Sequence, residues 1–580
     1  MTGIPHAKAT SPLDDYNVAS TPSDETPTTP APTTTSWTTK RTRIAIAIVA
    51  LTGVVCVTLG AIFVFQTHVT NHATEIITNI QQSPGLKISL RAKRDTMTFN
   101  GKSTADVFVV PRGGAGSTLL FDALLTQVGP EITETYLLLD HKAYYATSKN
   151  GVVVSAECLD AGRVPPVQLM QTSLHESSVL DNYKVANVTI ADCPDGKLLH
   201  VSFAGESFVF CNSKNNLLTH ATGTDLDISV EYLSDPTLVP EMEIPVLPNG
   251  EPLTCAAVVA DSVLPVAKSL MQTSSDVASY VAGYERSTVI NKASCGCKMG
   301  KKKPCLFVHG VGETEAGPMT PTFPSGWGNI QEHAPCCSSV QFIHLETTNH
   351  RWDDASTQQD FCDAALRVSK ATSTNGTKEL GSMILVTFSM GNLIASSAVA
   401  NNKCSIGKDV TWVSIAGPMQ GSKTANLLAN KCAAGGWGNA IIKYVLKQVG
   451  FCPVQQAYDS LKHQTTVGAH MQAKFVAAQA VRQKHVTRVL CGTNAVGLTS
   501  LTSAAIGVVG KMSQHDSPDY DGVVDFTSCA VGIDPRKFGT SAETSFHFKA
   551  SINHLDASMR YGDGWWGCDR KPVKWFECAL

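Results

Sequence analysis

Ser389 is the residue whose surroundings best suit nucleophilic chemistry. It lies between a run of apolar, branched residues at 383–388 and a run of small and apolar residues at 390–400. The first run predicts a buried strand and the second a helix, so the serine occupies a tight turn between them. In a nucleophile elbow of this kind the hydroxyl is exposed above the sheet, and the turn is strained. The residues two before and two after the serine must therefore be small. Gly391 meets this demand fully, whereas Thr387 meets it only in part because glycine is the usual residue there.

A second candidate element is the segment 309–312, His-Gly-Val-Gly, which directly follows a short apolar run. A serine that attacks an acyl group generates a negatively charged oxygen, which needs preformed N–H donors. The candidate donors are the amide of Met390, which follows the serine, and the amide of Val311, with Gly310 as its neighbour. Taken alone, the segment could be a glycine-rich turn that ends a strand. Its position about eighty residues before the serine favours an oxyanion loop.

Three segments resemble the α/β-hydrolase lipase and esterase family. They are 306–310 (Leu-Phe-Val-His-Gly), 388–391 (Phe-Ser-Met-Gly) and 413–422 (Val-Ser-Ile-Ala-Gly-Pro-Met-Gln-Gly-Ser). Within that family they are most similar to the lipase-like group that includes the GPI inositol-deacylases. The resemblance covers 304–580 and implies an α/β-hydrolase catalytic domain, in which helices flank a mostly parallel sheet. It also implies that the turn at the end of the third segment borders the active site.

The resemblance further implies that an acid and then a base follow the serine along the chain. Asp521, in the segment Tyr-Asp-Gly-Val-Val, is the predicted acid, and Asp516 and Asp525 are its rivals in the same stretch. His554 is the predicted base because it lies in a loop-like context about thirty residues past the acid. His547 alternates with phenylalanines, which is typical of a strand.

The segment 423–510 lies between the third resembling segment and the acid, and two interpretations of it stay open. Insertions at this point commonly form a cap or lid that screens an acyl-binding pocket from water. The alternative is additional scaffold held by cysteines. The pair Trp565 and Trp566 is similarly ambiguous, since it could touch a lipid surface or pack against Cys568.

The preceding region, 67–248, has a different pattern. Short alternating apolar stretches are separated by turn-forming clusters, which predicts a β-rich extracytoplasmic module of antiparallel hairpins. The clearest stretches are 106–110, 135–139, 198–203, 207–210 and 226–232. Such a module could be a lipid- or partner-binding sheet or a purely structural stalk. The segment 249–303 is the expected connector, with a helix at about 262–284 and a basic solvated loop at 298–303.

The N-terminal region predicts a membrane anchor. Residues 1–43 are rich in threonine, proline and serine and are expected to be a disordered cytosolic tail. Residues 44–66 are uncharged and apolar over a length that can span a bilayer as one transmembrane helix, and basic residues precede them. These basic residues place the N-terminus in the cytosol. The sequence therefore predicts a single-pass type II membrane protein whose C-terminal bulk lies in the secretory-pathway lumen or at the cell surface.

Cysteine usage agrees with that compartment. Of eighteen cysteines, Cys56 lies in the apolar run and the other seventeen lie beyond it. Most are scattered singly, as in disulfide-bonded proteins, and they lack the paired spacing of zinc sites. Because seventeen is odd, at least one thiol is expected to be free or to form an intermolecular disulfide. Two sequons, at Asn187 and Asn375, are candidate glycosylation sites on the same side.

The formal net charge of -3 gives no indication of nucleic-acid binding. Taken together, these features predict a membrane-anchored extracytoplasmic serine hydrolase that cleaves carboxylic ester bonds through an acyl-enzyme, without metal or cofactor. The expected substrate is a lipid-like or lipidated ester, and the choice among lipase, esterase and thioesterase stays open. The alternative is an α/β-hydrolase-fold binding or surface-recognition protein without catalytic activity.

Overall fold

The computed structural model describes residues 72–98, 102–113, 119–129, 133–159, 164–165, 167–179, 193, 196–247, 250–258, 295–369, 378–434, 454–498 and 501–580. All of them belong to the unit His68–Leu580. Several predictions fall outside these residues, namely the tail 1–43, the membrane segment 44–66, the helix at 262–284 and both sequons. Among the described helices, none combines the length and the apolar character that a bilayer span requires.

An antiparallel sheet of eleven strands forms the first part of the unit. The strands are β1 (Leu86–Ala92), β2 (Thr104–Arg112), β3 (Leu120–Val128), β4 (Thr133–Leu139), β5 (Lys142–Lys149), β6 (Val152–Leu159), β7 (Ser178–Val179), β8 (Lys197–Phe203), β9 (Glu206–Asn212), β10 (Leu218–Gly223) and β11 (Leu226–Tyr232). Their order is β6-β5-β4-β3-β2-β1-β11-β10-β9-β8-β7, so almost every strand pairs with its neighbour in sequence. The five predicted stretches all lie within these strands, which confirms the antiparallel hairpins.

One face of this sheet is apolar across several strands. Ile88 on β1 lies opposite Val107 on β2 and Val230 on β11, and the three side chains share this face. Helix α1, 72–82, packs three isoleucines into the same cluster. Trp565, from the C-terminal part of the chain, is buried in this cluster as well, and Trp566 packs against it. The tryptophan pair therefore packs within the protein.

A second sheet of eight strands follows. Its strands are β12 (Lys303–Val308), β13 (Gly317–Thr320), β14 (Cys337–His344), β16 (Met383–Phe388), β18 (Val410–Ile415), β19 (Val486–Gly492), β20 (Phe538–Gly539) and β21 (His547–Ala550), while β15 (Glu379–Leu380) and β17 (Ser405–Ile406) pair separately. The order is β13-β14-β12-β16-β18-β19-β21-β20. Only the β13–β14 pair is antiparallel among the described strands of this sheet. The mostly parallel sheet expected for 304–580 is thus confirmed.

Helices cover both faces of the second sheet. The described helices after α1 are α2 (Met170–His175), α3 (Pro324–Trp327), α4 (Ala355–Val368), α5 (Met390–Ala400), α6 (Lys423–Ala434), α7 (Gln456–Ser460), α8 (Ala469–His485), α9 (Leu501–Met512), α10 (Phe526–Ala530) and α11 (Pro572–Ala579). Like α1, helix α2 packs on the first sheet, through Leu174. On one face α4, α5 and α8 pack through Phe361, Leu393 and Phe475. On the other face α3 and α11 contribute Trp327 and Phe576. Because the central strands are buried on both sides, their sequences are continuous apolar runs.

Part of the predicted cap segment 423–510 belongs to the core. Strand β19 lies between β18 and β21 in the second sheet. Helix α8 packs beside α5 through Phe475, which is fully buried. Buried strands and packed helices have the same apolar content as a cap, so the sequence did not distinguish them. Residues 435–453 of the segment lie outside the described residues.

A cluster of buried charges joins the two sheets, and we call it the seam cluster: Arg94, Asp225, Asp563, Lys571, Lys574 and Glu577. Arg94, which follows β1, contacts Asp563 and Glu577, each with an N–O distance of 3.0 Å. Lys571 and Lys574 contact Asp225 at 2.8 and 2.9 Å. All six residues are at most 5 % exposed, so these charges compensate one another instead of relying on water. The β-rich sheet is therefore tied to the C-terminal part of the chain through its interior.

Disulfide bonds occur in the regions of both sheets, as the cysteine pattern predicts. The described bonds are Cys158–Cys255, Cys193–Cys211, Cys295–Cys578, Cys297–Cys336, Cys305–Cys337, Cys362–Cys404 and Cys491–Cys529. Among the described cysteines, Cys568 carries a free thiol. Burial raises the pKa of this thiol to about 11, so it is protonated at neutral pH.

Candidate active site

Ser389 lies at the sharp turn between β16 and α5. Its backbone has φ 51° and ψ -127°, a strained conformation that residues other than glycine rarely adopt. The Ser389 amide donates a hydrogen bond of 3.0 Å to the carbonyl of Ile415, the last residue of β18. This bond fixes the turn against the neighbouring strand. The serine thus has the backbone geometry of a nucleophile elbow.

Two glycines allow the segment 309–312 to approach this turn. A Cβ atom on Gly310 would lie 2.6 Å from the Cβ and 3.1 Å from the Oγ of Ser389. A Cβ atom on Gly391 would lie 2.6 Å from the carbonyl oxygen of His309. Since separations this short force a backbone shift, both positions require glycine. The structure therefore brings the segment directly against Ser389.

Thr387 is fully buried, and its hydroxyl belongs to a hydrogen-bond network beneath the turn. Its Oγ1 donates to Asn392 Oδ1 at 2.6 Å and accepts from Trp412 Nε1 at 2.8 Å. The side-chain amide of Asn392 donates to the carbonyls of Thr387, Ser389 and Ile415 at 3.0–3.2 Å. Glycine at position 387 would lack this hydroxyl, so threonine at this position has a structural reason. Asn392 and Trp412 were not predicted as site residues. For Asn392 the signal was a polar side chain inside the apolar run 390–400.

Ser389, His554 and Asp521 form one hydrogen-bonded chain. The Ser389 hydroxyl lies 2.8 Å from His554 Nε2, and His554 Nδ1 lies 2.7 Å from Asp521 Oδ2. With Nδ1 donating to the carboxylate, Nε2 is left to accept the serine proton. The serine and the histidine are 7 % and 5 % exposed, so water has little access to the bond between them. The ring of Phe388 packs against the imidazole at a centroid distance of 5.1 Å.

The loop around Asp521 orients its carboxylate. The other carboxylate oxygen, Oδ1, accepts the amides of Val523 and Val524 at 2.9 and 2.7 Å. The Asp521 carbonyl accepts the His554 amide at 2.9 Å. Gly522 has a positive φ of 92°, which allows the chain to turn back on the carboxylate. Both oxygens of Asp521 are therefore hydrogen-bonded, and Oδ2 is directed at the histidine.

The rival residues lie elsewhere. Asp525 pairs with His515 at 2.9 Å, and Asp516 pairs with Lys423 at the surface. His547 is buried in β21, and burial lowers the pKa of its imidazole to about 4. The structure therefore brings Asp521 and His554 to Ser389 and places the three alternatives in other contacts.

His309 holds the peptide between Gly310 and Val311. Its Nδ1 donates to the Gly310 carbonyl at 2.8 Å, and its Nε2 accepts the amide of Leu345 at 3.0 Å. This arrangement requires a neutral ring, and burial lowers the pKa of His309 to about 4. The carbonyl and the N–H of one trans peptide point in opposite directions. The ring that fixes the Gly310 carbonyl therefore also orients the Val311 amide.

Met390, the other predicted oxyanion donor, is the first residue of α5. An amide in the first turn of a helix has no partner within the helix, so it is free to bind a developing anion. The Met390 side chain is fully buried, and the Val311 side chain packs against two apolar clusters. Both side chains anchor their backbones in the core beside Ser389.

A buried carboxylate fixes the loop that carries His554, and we call 552–560 the base loop. Asp556 Oδ2 accepts the amides of Leu498 and Asn553 at 2.6 and 3.1 Å. Burial raises the pKa of Asp556 to about 7. Gly497 passes so close to this carboxylate that a side chain there would collide with it. Asp556 was not predicted from the sequence, because an aspartate two residues after the histidine has no distinctive pattern.

This arrangement suits proton transfer from a hydroxyl to an imidazole that a carboxylate orients. The amide of Met390 directly follows the nucleophile, and the amide of Val311 belongs to the segment that packs against it, so these two are the candidate oxyanion donors. Within the described ranges, no group of three or more histidine, cysteine, aspartate or glutamate side chains has the arrangement of a metal site.

Comparisons with known proteins gave weak matches only. No protein-family model matches the sequence, and no curated protein matches it either. Solved structures that resemble the chain include lipases, esterases and phospholipases of the α/β-hydrolase fold, a haloalkane dehalogenase and the protein LprF from Mycobacterium bovis.

Three of these structures illustrate the extent of the similarity. Phospholipase PlaB from Legionella pneumophila is 14% identical with a TM-score of 0.24, and the match covers 39% of this chain and 45% of that one. The metagenomic carboxyl esterase MGS0156 is 13% identical with a TM-score of 0.29, covering 49% and 75%. Staphylococcus hyicus lipase is 13% identical with a TM-score of 0.26, covering 48% and 94%. The chain thus spans less than half of the phospholipase, and similarities this low carry no argument about activity.

Proposed function

We propose that this chain is a serine hydrolase that cleaves carboxylic ester bonds, with Ser389 as nucleophile, His554 as base and Asp521 as acid. The observation that supports this most is the continuous chain of hydrogen bonds, 2.8 Å from Ser389 Oγ to His554 and 2.7 Å from His554 to Asp521. A serine hydroxyl is a weak nucleophile, and a base that a carboxylate orients is what activates it.

In the proposed reaction, Ser389 Oγ attacks the acyl carbon while His554 Nε2 takes the hydroxyl proton. Asp521 stabilises the imidazolium that forms. The amides of Met390 and Val311 hold the negatively charged oxygen of the tetrahedral intermediate. The C–O bond to the leaving alcohol breaks as His554 returns the proton, which leaves an acyl-enzyme. Water deprotonated by His554 then hydrolyses this ester and releases the carboxylic acid.

We further propose a lipid-like or lipidated ester as substrate, as in the GPI inositol-deacylase group, and an anchored ectodomain as its setting. The resemblance of 306–310, 388–391 and 413–422 supports the substrate class. The apolar run 44–66 with its basic flank supports the anchor. The described disulfides suit the secretory-pathway lumen or the cell surface.

Labelling with a fluorophosphonate probe tests the nucleophile. The wild-type chain should react covalently, and Ser389→Ala should not. Ser396→Ala is the matched control, because Ser396 lies in the same helix and its Oγ has no hydrogen-bond partner. Labelling of Ser389→Ala at the wild-type rate would refute the assignment.

Ester hydrolysis tests the base and the acid. His554→Gln and Asp521→Asn should each lower kcat by roughly a thousandfold or more on 4-nitrophenyl esters. Asp516→Asn, in the same stretch, should keep wild-type activity. A series of acyl chains from acetate to palmitate separates an esterase from a lipase. If no ester is hydrolysed and all variants behave alike, the chain is a non-catalytic binding protein.

A further inference from the structure

Arg560 lies at the end of the base loop, six residues after His554. The backbone reverses just before it, because Met559 adopts a left-handed conformation with φ 67°. The Arg560 backbone then packs directly against Gly328, where a Cβ would lie 3.0 Å from the Arg560 carbonyl. Gly328 follows Trp327, whose ring contacts Phe388 at a centroid distance of 5.8 Å. The Arg560 backbone is thus held close to the turn that carries Ser389.

Arg560 interacts electrostatically with the loop that follows β12. Its positive charge acts on His309 and, with opposite sign, on the carboxylate of Glu313. The remaining groups in electrostatic reach are Asp556 and the Tyr561 phenol. The charge of Arg560, at the end of the base loop, therefore acts on groups of both the oxyanion segment and the base loop.

The Arg560 guanidinium has no ion pair among the described residues. Its Nε donates a hydrogen bond of 2.7 Å to Ser558 Oγ. The side chain is partly buried, and burial lowers its pKa, although a guanidinium remains charged at neutral pH. A buried charge without a counterion is unfavourable, so it persists best where a bound group can compensate it.

We propose that Arg560 binds a phosphate or carboxylate group carried by the ester substrate close to the scissile bond. This inference rests on the proposed ester hydrolysis and assigns its substrate class, an anionic ester. Guanidinium suits the role because its terminal N–H groups bind two oxygens of a phosphate or carboxylate at once. The hydrogen bond from Arg560 Nε to Ser558 fixes the orientation of the guanidinium. It does not use the two terminal nitrogens, which can therefore bind the anionic group. The negative charge of Glu313 disfavours a second anionic group on that side.

Two esters that differ only by a phosphate test the proposal: 1-butyryl-glycerol and 1-butyryl-glycerol 3-phosphate. The wild-type chain should prefer the phosphorylated ester. Arg560→Gln should raise KM for the phosphorylated ester about tenfold or more and leave the neutral ester within about twofold. Arg560→Lys should recover part of the loss, since it keeps the charge without the fork. Arg536→Gln is the charge-matched control, because Arg536 is exposed and pairs with Asp534.

The source of the anionic group is tested with a dibutyryl phosphatidylglycerol in solution and a long-chain phosphatidylglycerol in vesicles. If the wild-type chain cleaves both phosphatidylglycerols and Arg560→Gln does not, the anionic group is a lipid headgroup. If only the soluble esters are cleaved, the substrate is a small phosphorylated ester.

Equal effects of Arg560→Gln on the neutral and the phosphorylated ester would overturn the proposal. So would Ser389-dependent hydrolysis without any preference for the phosphate. Those results leave the proposed function intact, whereas hydrolysis that persists in Ser389→Ala removes the proposed function itself. Calorimetric binding of 1-butyryl-glycerol 3-phosphate to Ser389→Ala, with and without Arg560→Gln, gives a readout that needs no turnover. Undiminished binding in the double variant contradicts the proposal.

Discussion

Thr387 occupies a position where nucleophile elbows usually have glycine, and its side chain contributes hydrogen bonds that glycine could not make. Its hydroxyl links the indole of Trp412 on β18 to the amide of Asn392 in α5, directly below Ser389. Asn392 in turn binds the carbonyls on both sides of the turn. The strained backbone of the serine is thus held by side-chain hydrogen bonds from beneath.

Thr387→Val should destabilise the protein. Valine keeps the shape of threonine but leaves Asn392 Oδ1 and Trp412 Nε1 without their partner in a buried site. The expected cost is about 1–3 kcal/mol of unfolding free energy. Urea unfolding measures it, and Thr387→Ser, which keeps the hydroxyl, serves as control. Equal stability of wild type and the valine variant would mean that the network contributes nothing.

His309 should make stability depend on pH. Its folded pKa of about 4 lies below the usual 6.5, so between these values the unfolded state binds more protons than the native state. Stability therefore falls as pH decreases through this range, by at most about 1.4 kcal/mol per pH unit from this group. His547 adds a similar slope, because burial lowers its pKa to about 4 as well.

Unfolding free energies measured from pH 7 to pH 4 test this dependence. The glutamine in His309→Gln does not titrate in this range, so the stability of the variant should depend less steeply on pH. The pH dependence that comes from His547 should remain. Parallel curves for the two proteins would show that His309 is not the source.

At the scale of the element, the position of His554 depends on the base loop more than on the sheet. The base loop is tied to 494–498 by two hydrogen bonds, from the Leu498 amide to Asp556 and from Asn553 to the Val496 carbonyl. Three further bonds, from backbone amides to the side chains of Asp556 and Asn553, hold the loop itself together. Asp556 touches no reacting atom, so it is a positioning residue. It affects His554 by fixing the backbone conformation of the base loop.

Asp556→Ala should lower kcat by about tenfold or more and leave KM nearly unchanged, because the imidazole loses its alignment. Asp556→Asn keeps an oxygen that can accept the Leu498 amide and should recover most of the activity. Steady-state kinetics on a 4-nitrophenyl ester measure both variants. A loss that asparagine does not rescue, or one confined to KM, would contradict a positioning role.

The sequence predicted those elements whose signal is local. Alternating stretches such as 226–232 predicted strands because side chains in a half-buried strand alternate between core and solvent. The apolar run 383–388 and the glycines beside Ser389 predicted the elbow in the same way. Asp521 and His554 required a family resemblance, since a turn aspartate and a loop histidine have no local signature.

Other features depend on contacts between distant parts of the chain. Arg94 and Glu577 are separated by 483 positions, and nothing near either residue indicates the other. The sequence left the segment 423–510 open between a cap and additional scaffold for a related reason, because apolar content does not reveal whether a strand such as β19 joins the central sheet. Such features become visible only when the chain is folded.

At the scale of the molecule, the seam cluster makes the two sheets depend on each other. Arg94→Met should cost about 3–5 kcal/mol of unfolding free energy, since it leaves Asp563 and Glu577 buried without their cation. Arg91→Met is the control, because Arg91 is half exposed and pairs with Asp227 on the surface of the same sheet. That variant should lose at most about 1 kcal/mol.

Thermal unfolding of both variants tests the dependence. Loss of stability in Arg94→Met should appear as one transition of the whole unit at lower temperature. Two separate transitions in the wild-type protein would show that the sheets unfold independently.

The bond between Cys295 and Cys578 has a mechanical consequence. It joins two residues 283 positions apart, one just before β12 and the other in the last helix. A pulling force applied between the N-terminal side and Leu580 therefore passes through the sulfur atoms and bypasses the polypeptide between them. Stretching the molecule should unravel the eleven-stranded sheet while Ser389 and its partners carry no tension. Only after chemical reduction should the extension lengthen by the contour of the second sheet.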